Sequence, residues 1–153
     1  MKFQYRKLSR EERKGSKWKY EVTETYIHEI DLGGIELAVR DKAGGVVFWY
    51  SPRTKRLYIG PGYRWDGPSG PTFDTESFMR GSAVHDALCQ LTDLGLLDWI
   101  YREIADKELV IITKEDGMGW LRRQWVYAGV RLWSWWKQIT NPRRHPRGKI
   151  IEV

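Results

Sequence analysis

"YIGPGYRWDGPSGPTFDTESFMRGSAVHDAL", Tyr58 to Leu88, is where the chain changes its period. Upstream lie four runs rich in β-branched and aromatic residues: "KWKYEVTETYIHEI" (17–30), "GIELAVR" (34–40), "GVVFWYS" (45–51) and "RLYIG" (56–60). The turn signals "DLGG", "DKAGG" and "SPRTK" separate them, which predicts an antiparallel meander over 1–63. Downstream the spacing becomes helical. Phe78, Ser82, His85 and Cys89 share one stripe with Leu88 beside it, and Asp74 or Thr75 is placed to cap the helix. That helix is expected to end near "DLG" at 93–95.

Two more helices follow from the same period. The second is expected over 98–116, ending at Gly117, with Tyr101, Ala105, Leu109 and Ile112 on one face and Ile104 and Ile111 widening it. The third is expected over 118–138, with Leu121, Trp125, Ala128, Leu132 and Trp136 marking its apolar side. The expectation is a single α+β domain: an N-terminal antiparallel β-meander, then three helices over 74–138 with His-Asp on the first, then a basic tail over 139–153.

Composition narrows the function classes. At 153 residues the chain can bury a core of its own, and 41% hydrophobic content argues against disorder. No apolar run approaches the ~20 residues that span a bilayer, and the charged opening "MKFQYRKLSREERKGSK" predicts no signal peptide. Cys89 is the single cysteine, so an internal disulfide framework is excluded. The 26 Lys and Arg against 20 Asp and Glu give a net charge of +6, which favours phosphate-bearing partners.

Of three histidines, His145 lies in the tail and His28 in a strand beside Tyr26 and Ile30, a structural setting. His85 lies on the mostly apolar stripe of the first helix and is followed by Asp86, which points elsewhere because a helix turns ~100° per residue. Asp106, on the next helix, is placed to reach His85 if the two helices are antiparallel. A carboxylate on one imidazole nitrogen fixes the tautomer and leaves the other to take a proton from water. The structural alternatives are a surface pair of Asp106 with Arg102, four residues earlier, and a core histidine at 85. Tyr58, Gly60 and Gly62 in "YIGPG" are spaced two apart, and glycine lets carbonyls approach a ligand closely. Those carbonyls with Asp86, or with Asp66 of "RWDGPSGP", would make an oxygen cage for calcium. Rigid turns are the alternative for the same glycines and prolines. Asp66, His85, Asp86 and Asp106 together would also suit another divalent metal.

"WDGPSGPTFDTESFMRGSAVHDAL", "REIADKEL" and "GMGWLRRQWVYAGVRLW" resemble a family of small phage and prophage proteins carrying the label domain of unknown function 1353. The matching positions are Asp66, His85, Asp86, Ala105, Asp106, Tyr127, Val130 and Arg131. The resemblance implies a phage origin, in host cytoplasm or virion, and supplies no activity. More loosely, "YIGPG", His85-Asp86 and Ala105-Asp106 are similar to the calcium-dependent phospholipase site of parvovirus capsid proteins and secreted phospholipases. That likeness implies His85 as general base, Asp106 as its orienter, and Tyr58, Gly60, Gly62 and Asp86 around calcium. This chain departs from it by having Cys89 where a Tyr is usual, and by the "WDGPSGP" insertion.

The third helix and tail, "GWLRRQWVYAGVRLWSWWKQITNPRRHPRGK", interleave Trp with Arg and Lys. This suits a phospholipid surface, and secondarily other phage proteins, with nucleic acid behind both. A core helix with amphipathic rim side chains is the structural alternative. The expected function is a phage-encoded metal-dependent hydrolase, phospholipase-like in its most concrete form. The alternative is a non-catalytic virion or host-interaction protein in which His85, Asp86 and Asp106 form a structural network.

Overall fold

The computed structural model describes residues 2–68 and 75–140. Asp74, His145 and the rest of the basic tail from 141 onward lie outside the described residues, while 139 and 140 belong to the third helix. The chain forms two compact units, one of strands up to Asp66 and one of helices from Gly67 onward. The α+β class is as expected: antiparallel strands, then three helices.

The strand unit holds two sheets rather than one meander. A three-stranded sheet has the order β1 (Tyr5–Lys7), β2 (Tyr20–Val22), β7 (Arg64–Trp65). A four-stranded sheet has the order β3 (Tyr26–Glu29), β6 (Arg56–Ile59), β5 (Val46–Ser51), β4 (Leu37–Arg40). The run 17–30, read as one strand, is broken at 23–25, and its halves pair in different sheets. Partial alternation does not reveal such a break, because Val22 and Tyr26 are both buried on either side of it. Two of the three turn signals close hairpins, "DKAGG" between β4 and β5 and "SPRTK" between β5 and β6, whereas "DLGG" joins β3 and β4 at opposite edges of their sheet. In "DKAGG" the Asp41 carboxylate accepts the amides of Ala43 at 2.9 Å and Gly45 at 2.7 Å, and Gly44 supplies φ +86°.

Aromatic packing anchors this unit. Trp65 is fully buried among Phe3, Tyr5, Tyr20 and Tyr63. Tyr50 is equally buried, and its hydroxyl accepts the Leu32 amide at 2.9 Å. His28 is buried in β3, with its Nδ1 3.5 Å from the Tyr26 hydroxyl.

The glycines of "YIGPG" have duties within the sheet. The Gly60 amide donates to the Val47 carbonyl at 2.8 Å, and a Cβ at Gly60 would land on the Val46 carbonyl oxygen. Gly60→Ala is therefore expected to destabilise the strand unit by ~1–3 kcal/mol, as overpacking against backbone does. Urea unfolding checks this, and an unchanged midpoint would refute so close an approach.

The helical unit consists of α1 (Glu76–Asp93), α2 (Tyr101–Glu115) and α3 (Trp120–Thr140). Thr75 occupies the N-cap of α1 in extended conformation but makes no side-chain cap bond. Ion pairs show that α1 and α2 run antiparallel. Arg80 near the start of α1 meets Glu115 at 2.7 Å and Asp116 at 2.9 Å, while Arg102 near the start of α2 pairs with Asp93. Gly81 lets them close, since a Cβ there would sit 3.0 Å from Leu109 Cδ1 and Thr113 Cγ2. Phe78, Leu109, Met118 and Val126 form a buried cluster with Val130 packed against it.

The apolar side read for α3 is real as a stripe but faces outward. Leu121, Trp125 and Leu132 are 69%, 79% and 66% exposed. Only Val126 and Ser134 of α3 are buried. The core-helix reading of that stripe therefore fails: α3 packs through the other side of the helix.

Candidate active site

His85 is carried by the middle of α1, four residues before Cys89, so the two side chains share a face one turn apart. Asp106 comes from the middle of α2. The antiparallel arrangement brings them together: His85 Nε2 lies 2.8 Å from Asp106 Oδ1. On the ring's other side, Nδ1 is 3.3 Å from Asp86 Oδ1. The Cys89 sulfur is 3.7 Å from Nε2. Helix α3 completes the group. Arg131 donates to Asp106 Oδ2 at 3.3 Å, and the Ser134 hydroxyl donates to Asp106 Oδ1 at 3.4 Å.

Burial is graded across this cluster. The Asp106 side chain is fully buried, that of His85 is 13% exposed, and that of Asp86 is 24% exposed. The Asp106 end is thus closed by protein, and the Asp86 end opens toward solvent. Arg131 and Ser134 also line a cleft of about 380 Å³ with Trp99, Arg102, Trp135 and Gln138; His85 is not among its lining residues. Asp106 does not make the surface pair with Arg102. Arg102 is itself buried, lies 4.5 Å over the Trp99 ring and pairs with Asp93.

The cluster acts on the charge of His85. Burial opposes the charged ring, but electrostatic attraction to Cys89 and the hydrogen bonds to Asp106, Asp86 and Cys89 outweigh it. The His85 pKa is held well above the ordinary histidine value. A group whose pKa is raised by folding stabilises the fold fully below its unfolded value, about 6.5 for histidine, and that contribution is lost as pH rises through the folded value. Wild-type protein should therefore lose stability on the alkaline side more steeply than His85→Gln. Melting curves across the neutral to alkaline range check this. Parallel curves for the two proteins would show that the ring carries no such charge.

The residues expected at the site fall into two groups. His85, Asp86 and Asp106 converge in the helical unit. Tyr58, Gly60, Gly62 and Asp66 belong to the strand unit. There the Tyr58 ring packs against Trp49, tilted, at 4.4 Å between centroids, the Gly60 carbonyl accepts the Tyr63 amide at 3.3 Å, and Gly62 adopts φ +86°. Among the described residues no group of three His, Cys, Asp or Glu side chains could hold a metal ion. Ser134 was not anticipated. Its signal was its position three residues after Arg131, on the same side of α3.

Comparison of the chain with protein-family models, with curated proteins and with solved structures finds no match. Among the described residues no helix is long and apolar enough to cross a membrane.

Proposed function

We propose that the helical unit is a water-activating hydrolytic centre and that the protein is a phage-encoded hydrolase acting on ester bonds of phospholipid, in host cytoplasm or virion. One observation carries this reading: the 2.8 Å contact of His85 Nε2 with the fully buried Asp106, itself fixed by Arg131 and Ser134. In the neutral ring Asp106 accepts the Nε2 proton, so the basic lone pair lies on Nδ1, the nitrogen on the more open Asp86 side. Water there gives its proton to Nδ1 as its oxygen attacks the ester carbonyl carbon. The carbonyl π pair moves to oxygen. When the tetrahedral species collapses, the ester C–O bond breaks and the Nδ1 proton passes to the departing alkoxide, giving acid and alcohol. The resemblance to small phage and prophage proteins supports the origin, and the phospholipase likeness supports the ester.

A divalent cation, calcium by that likeness, would polarise the carbonyl when bound, with Asp86 as its carboxylate from this unit. The test is hydrolysis of mixed anionic phospholipid vesicles by wild type and His85→Ala, with calcium and with chelator. Activity lost in the variant and with chelator supports both base and metal. Activity lost only in the variant supports the base and removes the metal. A wild type without activity overturns the reading.

A second reading is favoured by the carboxylates facing both ring nitrogens and by the raised pKa. In it, His85 is an imidazolium that braces α1 and α2, and the protein is a non-catalytic virion or host-interaction component. It predicts an inactive wild type whose His85→Ala variant melts lower.

A further inference from the structure

Helix α3 is packed inside out. Its inward side carries charge: Arg122 bonds Thr75 Oγ1 at 3.0 Å, Arg123 bonds the Met118 carbonyl at 2.7 Å, Arg131 meets Asp106 at 3.3 Å, and Lys137 meets Asp93 at 3.2 Å. Its outward side is apolar. Leu121, Trp125, Leu132, Trp135, Trp136 and Ile139 are all more than half exposed. Scattered exposed apolar residues are ordinary, but a stripe running the length of a 21-residue helix marks a surface that something covers.

Charge identifies the occupant. The helix contains four cationic residues and no Asp or Glu. At ~100° per residue, Arg122 and Arg131 border the stripe on its two edges. The sequence then continues with "NPRRHPRGK", which adds four more cationic residues and no acidic one. A second copy of the same helix would bring these basic edges against each other, which like charges disfavour. Nucleic acid offers no apolar surface to cover the aliphatic part of the stripe, Leu121, Leu132 and Ile139. An apolar stripe rich in Trp, with basic edges and a basic segment following, is complementary to an anionic lipid surface. The rings lie at the acyl boundary and the cations at headgroup level.

We infer that α3 docks the protein flat on an anionic membrane surface through this stripe. The inference goes beyond the hydrolytic reading and stands or falls separately, because docking is measured as binding and requires no turnover.

The experiment is flotation of the full chain with vesicles of mixed phosphatidylcholine and phosphatidylglycerol, against vesicles of phosphatidylcholine alone. Wild type should float with the mixed vesicles, and high salt or neutral lipid should weaken binding. Trp125→Ser combined with Trp136→Ser should lower affinity by ~10-fold or more, since each exposed ring forfeits its burial in lipid. The double variant should melt as wild type does. His85→Asn should bind as wild type does, even if its hydrolysis is lost. Wild type remaining unbound, or the double variant binding as tightly, would overturn the inference. So would a wild type that ignores vesicles but forms a dimer that the double variant dissolves.

Discussion

Asp106→Ala is expected to destabilise the helical unit by ~3–5 kcal/mol, the usual cost of removing one partner from a buried charge cluster. Three groups converge on this carboxylate: His85 Nε2, Arg131 and Ser134 Oγ. The carboxylate has no solvent exposure, so water cannot replace it without opening the helices. Asp106→Asn should cost less, because its carbonyl oxygen still accepts one of the three bonds, but it removes the charge that holds His85 protonated. Urea unfolding at neutral pH measures both. A loss below ~1 kcal/mol in Asp106→Ala, the range of an exposed pair, would place Asp106 outside any buried cluster.

The second large effect falls on rate. His85→Asn should lower ester hydrolysis by ~10²–10⁴-fold, the contribution of a positioned general base. The pH profile discriminates further. His85 works as a base only when neutral, and its pKa is held well above the ordinary value by its neighbours. Wild-type activity should therefore rise on the alkaline side of neutrality, through the folded pKa. Asp106→Asn should move that rise to lower pH while lowering the maximum, since the ring loses both its charge partner and its fixed tautomer. A structural role for Asp106 would lower stability without moving the profile.

Much of the helical unit was legible in the sequence, because the 3.6-residue period and the stops at Gly95 and Gly117 are local signals. The pairing of His85 with Asp106 followed from a single non-local assumption, that a short connection makes neighbouring helices antiparallel. Two features were not legible. The break between β2 and β3 depends on which sheet each half joins, which is a long-range choice. The outward stripe of α3 was read as apolar, but period alone gives a stripe's composition and not the side from which the helix is held. Here ion pairs from Arg131 and Lys137 decide that side. The sequence also suggested an Arg102–Asp106 pair from i, i+4 spacing, whereas Arg102 is drawn to Asp93 at the end of α1.

The most direct test of the central claim is an NMR titration of the His85 ring in the intact protein, following both ring nitrogens. The account predicts a pKa above the ordinary histidine value and, above that pKa, a neutral ring protonated at Nε2 with its lone pair on Nδ1. A neutral ring protonated at Nδ1 instead, bound to Asp86, would contradict it, because the nitrogen needed to activate water would then hold the proton.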